Sequence, residues 1–145
     1  MSQDRHSVLS LMNEYCFCVD TGNFDGFAEL FEHGSFHVLG DPAGAQYGTE
    51  AVRAVLDNVT LYDGKPQTKH VMSNVQIEVE DSGSTATAQS YISLFQGLPD
   101  FPPQVIFMGH YFDTFEKVDG NWRFKTREIS PDLIGDLSRH RADMA

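Results

Sequence analysis

Between Pro66 and Pro131 the chain repeats with period two, and no other feature limits its possible folds as much. "TKHVMSNVQIEVE", "ATAQSYISLFQ", "QVIFMGHYFDTFEKV" and "NWRFKTREI" are rich in β-branched and aromatic residues. "EDSGST" and the "DG" of residues 119–120 join neighbouring runs through tight turns. Strands joined this closely can pair only as antiparallel neighbours. "GLPDFPP" reads as a loop, Pro131 as the end of the last strand, and the tail to Ala145 as partly helical. The first 60 residues have helical spacing instead. Val8, Leu11, Met12, Tyr15 and Cys18 or Val19 predict a helix over 4–20. "FDGFAELF" after the N-cap candidate Asn23 predicts a second helix, and "EAVRAVLDNV" after Thr49 a third; "SFHVL" is a short strand and "DPAGAQYG" a loop. Helices first and long antiparallel strands after them make an α+β domain over 1–145, with helices packed on one face of a curved sheet. Bent into a cone and closed by the N-terminal helices, such a sheet offers a pocket at its open end. Chemistry belongs on the concave side and subunit contact on the convex side.

Charge narrows the partners. Ten Lys+Arg stand against 21 Asp+Glu, a formal net charge of −11, so there is no basic stripe for nucleic acid or for an anionic membrane surface. No stretch approaches the roughly 20 apolar residues of a membrane span, and "MSQDRHSVLS" lacks the apolar core of an export signal. The two cysteines, Cys16 and Cys18, point to different faces of one helix, which fits a reducing, cytoplasmic setting. The six histidines form no HxH or HxxxH pair, and no metal site or cofactor is expected.

Strand parity brings out a few polar residues. In 69–80, His70, Met72, Asn74 and Gln76 share one face; in 121–130, Arg123, Lys125, Arg127 and Ile129 share another, subject to inversion by a β-bulge. Asp20 sits where helix one ends, at the negative pole of the macrodipole, where a carboxylate is disfavoured by about 0.3–1 kcal/mol. Taken singly, each residue has an ordinary reading. His70 fits a core histidine held by a backbone carbonyl, and Arg127 the partner of an acid on the next strand. Tyr15 reads as a core residue, and Asp20 as the start of the Thr21-Gly22 turn. On the other side of the sheet Ile106, Met108, Phe112 and Thr114 flank His110, an apolar face that predicts a dimer or trimer.

Tyr15 five residues before Asp20 in "CVDTGN", then "TKHVMSN", Gly109-x-Tyr111-x-Asp113 and "DGNWRFKTRE" come in an order that resembles the SnoaL-like branch of the nuclear transport factor 2-like superfamily, over most of residues 4–130. The chain looks most like the scytalone dehydratase, bile acid 7α-dehydratase and hexachlorocyclohexane dehydrochlorinase type. The resemblance implies an Asp20–His70 pair in which the carboxylate orients the imidazole as a base toward a carbon-bound proton. It implies Arg127 and Tyr15 as groups that steady developing negative charge; Asn74 and Tyr111 are candidates for substrate contact. The implied reaction is a cofactor-independent elimination on a small, apolar, aromatic or alicyclic substrate. A double-bond isomerase, a polyketide-cyclase-like enzyme and a non-catalytic binding or dimerisation domain are the alternatives on the same scaffold.

Overall fold

A computed structural model of the chain describes residues 2–144, excluding the side chain of Met144. Helix α1 spans Gln3–Asp20 and α2 spans Phe24–Glu29. Strands β1 (Ser35–Val38) and β2 (Gln46–Tyr47) follow, and then helix α3 (Gly48–Ala54). The long strands are β3 (Thr68–Val79), β4 (Thr85–Leu98), β5 (Phe101–Val118) and β6 (Asn121–Ile134). In the tail, expected to be partly helical, a short 3-10 turn spans Ala142–Met144. Six strands form one curved, unclosed sheet in the order β2-β1-β6-β5-β4-β3. The sheet is mixed rather than purely antiparallel, because β1 lies parallel to β6. Strand β2, helix α3 and the strands β3 to β5 lie in the chain between β1 and β6, so the parallel β1–β6 pairing is no hairpin.

Helix α1 is fastened at both ends. Asp4 in its first turn accepts from Lys117 Nζ and Trp122 Nε1, each at 2.9 Å, near the β5–β6 hairpin. At its other end Thr21 and Gly22 close the helix through N–H bonds to the Phe17 and Val19 carbonyls, and Gly22 takes φ 80°. A Cβ at Gly22 would meet the Gly64 carbonyl oxygen, so the loop before β3 packs directly on the helix end and holds the start of β3 beside it. Val8, Met12, Tyr15, Cys16 and Val19 bury this helix against Phe27, Phe31, Phe36 and Phe124.

Three bulges rearrange the faces expected from parity. Asn74 takes φ 54° where the β3–β4 register slips between Ser73 and Gln76. Thr68, His70 and Met72 therefore face the helices before the bulge, as do Val75 and Ile77 after it. Asn74 is exposed and does not extend the His70 row. In β6 the extra residue is Lys125, since Thr114 pairs with Thr126 but Phe115 with Phe124. Phe124 and Arg127 are consequently both interior, and Arg123 is not on the Arg127 face; it pairs with Glu116 at 2.9 Å. In β5 the extra residue is Ile106, which turns inward to join Leu94, Phe101 and Leu137 in a small second cluster. It is thus removed from the outer face, where Val71, Tyr91, Phe95 and Phe112 remain exposed around His110.

Two further differences arise from prolines and capping. The segment read as a loop, 97–103, is a tight hairpin with Leu98 opposite Phe101. Pro102 and Pro103 are tolerated there because β5 pairs with β6 only from Phe107 onward, leaving that edge free. Pro131 sits opposite Gly109 at another register slip, and β6 continues to Ile134. Helix α3 starts at Gly48 without a side-chain cap and ends at Ala54, earlier than its apolar spacing suggested. Asn23 does cap α2, its Oδ1 accepting from the Gly26 N–H at 3.0 Å.

Candidate functional site

Asp20 and His70, 50 residues apart in sequence, meet in the gap between the end of α1 and the start of β3. The His70 Nδ1 lies 2.6 Å from Asp20 Oδ1, and the His70 backbone N–H donates to Oδ2 at 2.7 Å. Thr68, two residues earlier on the same face of β3, donates its hydroxyl to Oδ1 at 2.7 Å. Three donors from one strand thus converge on a carboxylate at the unfavourable pole of a helix. Burial pushes the Asp20 carboxyl up, but the bonds from the His70 ring, the His70 N–H and Thr68 outweigh it and hold the group below the usual carboxylate value. Ionised, Asp20 can only accept, so Nδ1 carries the proton and Nε2 of the neutral ring is left with its lone pair. Both side chains are 9% exposed, shielded but not sealed.

A cavity of about 310 Å³ opens beside His70. Leu9, Asn13, Cys16 and Phe17 of α1 form one wall, and His70, Met72 and Val75 of β3 the other. Burial pushes the Cys16 thiol up to about 12, so it serves as an apolar wall and not as a thiolate nucleophile.

The remaining site candidates lie deeper. Tyr15 is 5% exposed and meets the His70 ring edge-on, with centroids 6.2 Å apart. It does not line the cavity, and burial pushes its phenol up to about 12 despite the nearby guanidinium. Tyr111 is buried against Tyr15, centroids 5.5 Å apart, and burial raises its phenol well above the ordinary value. Arg127 is fully buried between the two, its guanidinium carbon 4.3 Å from the Tyr15 centroid and 3.7 Å from that of Tyr111. Asp113 of β5 holds it through two parallel bonds, Nε–Oδ1 at 2.8 Å and Nη2–Oδ2 at 2.9 Å. The ordinary reading of Arg127, a partner for an acid on the next strand, describes its geometry; it does not reach the cavity that His70 lines. Asn74 sits in the β3 bulge itself, where it is exposed and does not line the cavity. Thr68 and Asn13 were missed by sequence reasoning. Thr68 was legible in principle, since it sits at i−2 from His70 on the same face.

Among the described residues no three His, Cys, Asp or Glu side chains gather as a metal site, and no helix is long and apolar enough to cross a membrane.

Comparison with known proteins places this geometry in a family. The profile of the SnoaL-like domain matches residues 1–128. No curated protein matches the chain. Among solved structures, a scytalone dehydratase-like protein from Novosphingobium aromaticivorans is 27% identical over 92% of this chain and 87% of its own, with a TM-score of 0.73. LinA is 18% identical over 92% of this chain and 89% of its own, with a TM-score of 0.73. A nuclear transport factor 2-like protein with a cystatin-like fold, also from Novosphingobium aromaticivorans, is 23% identical over 94% and 86%, with a TM-score of 0.74. With the profile spanning nearly the whole chain and the same helices-on-sheet architecture throughout, the protein belongs to the SnoaL-like domain family.

Proposed function

We propose that the protein is a cofactor-independent lyase in which the Asp20–His70 pair removes a carbon-bound proton from a small apolar ring compound. The observation that carries this reading is the 2.6 Å bond from Nδ1 to a carboxylate, on a histidine that lines a mostly apolar cavity. Asp20 fixes the tautomer and stabilises the imidazolium as Nε2 takes the proton, an effect worth about 10²–10⁴-fold. The electron pair left on carbon expels a leaving group from the neighbouring carbon, and a double bond forms. The likeness to LinA, a dehydrochlorinase, and to a scytalone dehydratase-like protein supports elimination over other uses of the dyad.

The first half-reaction is measurable without knowing the leaving group. In D2O the protein is expected to speed deuterium exchange α to the carbonyl of aromatic and alicyclic ketones. His70→Ala and Asp20→Asn should each lower that rate by 10²-fold or more while folding normally. Wild-type rates in both variants would overturn the proposal. Exchange with no elimination from any β-hydroxy or β-halo ketone would favour an isomerase.

Assembly belongs to the same proposal. Tyr91 (47% exposed), Phe112 (42%) and Val71 (46%) lie on the sheet face away from the helices, beside His110 stacked 4.1 Å over Phe112. A dimer or trimer through this face is expected in sedimentation at micromolar concentration, and a monomer would count against it.

A further inference from the structure

The cavity beside His70 contains a polar group that the dyad does not use. Leu9, Asn13, Cys16 and Phe17 form one stripe of α1 at helical spacing, and Asn13 is the sole amide among the lining residues. Asparagine is a poor residue for a helix interior, because its side chain competes for backbone bonds. Here it makes no side-chain hydrogen bond among the described residues, although it sits partly shielded at the wall of the cavity. The lining carries no Lys or Arg side chain. The guanidinium that could have met a negative charge, Arg127, is sealed and matched by Asp113. An anionic ligand entering here would face the ionised Asp20 just behind His70 with no cation to compensate, in a chain of net charge −11. A neutral ligand incurs no such penalty.

Resting on the lyase reading above, we propose that Asn13 is the hydrogen-bond donor that holds the carbonyl oxygen of an uncharged ketone, and that the cavity rejects carboxylates. Proton removal by His70 Nε2 turns that ketone into an enolate, the C–H electron pair moving onto the carbonyl and negative charge onto its oxygen. Asn13 Nδ2–H strengthens its bond as this charge develops, the task the family resemblance implied for Arg127. No redox partner is needed, and the proton remains on His70 until it is returned or lost to water. At about 310 Å³ the cavity lies at the small end of ligand pockets, suited to one or two fused rings.

The test uses three probes of one shape: 1-tetralone, tetralin and the anionic tetralin-2-carboxylate. Binding is read from the His70 ring signals by NMR, and turnover from deuterium incorporation beside the carbonyl. The wild type should bind the ketone most tightly and the carboxylate least. Asn13→Leu should lower ketone affinity about tenfold and leave tetralin unchanged. Asn13→Asp, equal in shape but without the donor, should do the same and controls for packing. An unchanged ketone-to-tetralin ratio in both variants, or a carboxylate bound as tightly as the ketone, overturns the inference. Asn13-dependent ketone binding without any deuterium exchange would sustain the Asn13 site and sink the lyase reading instead. If no probe perturbs His70, both fall.

Discussion

Two of the ion pairs in this protein, Asp113–Arg127 and Asp20–His70, differ in almost every respect that matters for chemistry. Asp113–Arg127 is fully buried, bidentate, and covered by Tyr15 and Tyr111. Asp20–His70 is 9% exposed, and one ring nitrogen stays unsatisfied toward a cavity. Burial opposes the charge on Arg127, yet the Asp113 carboxylate prevails and drives its pKa up, so it stays protonated at any usable pH. A group locked in one charge state with no open neighbour can rigidify a fold but cannot exchange a proton with a ligand. The lesson is that an interior charge is read by what its remaining atoms face. The guanidinium keeps only a sealed Nη1 without a partner, whereas the imidazole keeps a lone pair at a cavity wall.

That contrast can be broken by experiment. Arg127→Leu should destabilise the protein by about 3–5 kcal/mol, because it strands a buried carboxylate. Arg127→Leu with Asp113→Leu should recover most of the loss, as measured by chemical denaturation. A cost below about 1 kcal/mol for the single change would mean that the pair is not sealed.

His140 offers an intermediate case: buried, without a partner for Nδ1, and close enough to feel the charges of His70 and Asp20. Burial, helped by the neighbouring His70 and Arg141 charges, lowers its pKa from 6.5 to about 4. The unfolded chain therefore binds the extra proton first. Stability should hold above about pH 6.5 and fall as pH drops to about 4, by up to about 3 kcal/mol. His140→Leu should flatten that slope in pH-dependent thermal unfolding, and an unchanged slope would contradict it.

The smallest effect expected is that of Thr68→Val, about 1–2 kcal/mol, through one bond lost to a charged acceptor. The Asp20 carboxyl should titrate higher by carbon NMR, and Thr68→Ser should restore it. A merely structural threonine would leave that titration unmoved.

The elements themselves were legible because their signals are local. Helix α1, the capped α2 and the four long strands follow from spacing and turn chemistry, which act over a few residues. The Asp20–His70 pairing was readable only through resemblance, since 50 residues of chain separate the two and no periodicity spans that distance. Asn74, Ile106 and the Arg123 face were misread for one shared reason. A single extra residue inverts every side chain beyond it, and whether a strand holds that residue is decided by its neighbour.

By itself, then, the sequence determined the class of fold, the helix and strand identities, and an excess of negative charge. Tertiary structure decided which polar groups are open. It sealed Arg127 by setting Asp113 across from it on β5, and it left His70 at a cavity by laying the end of α1 against the start of β3. The physical reason is that desolvation and hydrogen-bond saturation depend on what packs around a group, which is the sum of contacts distant in sequence.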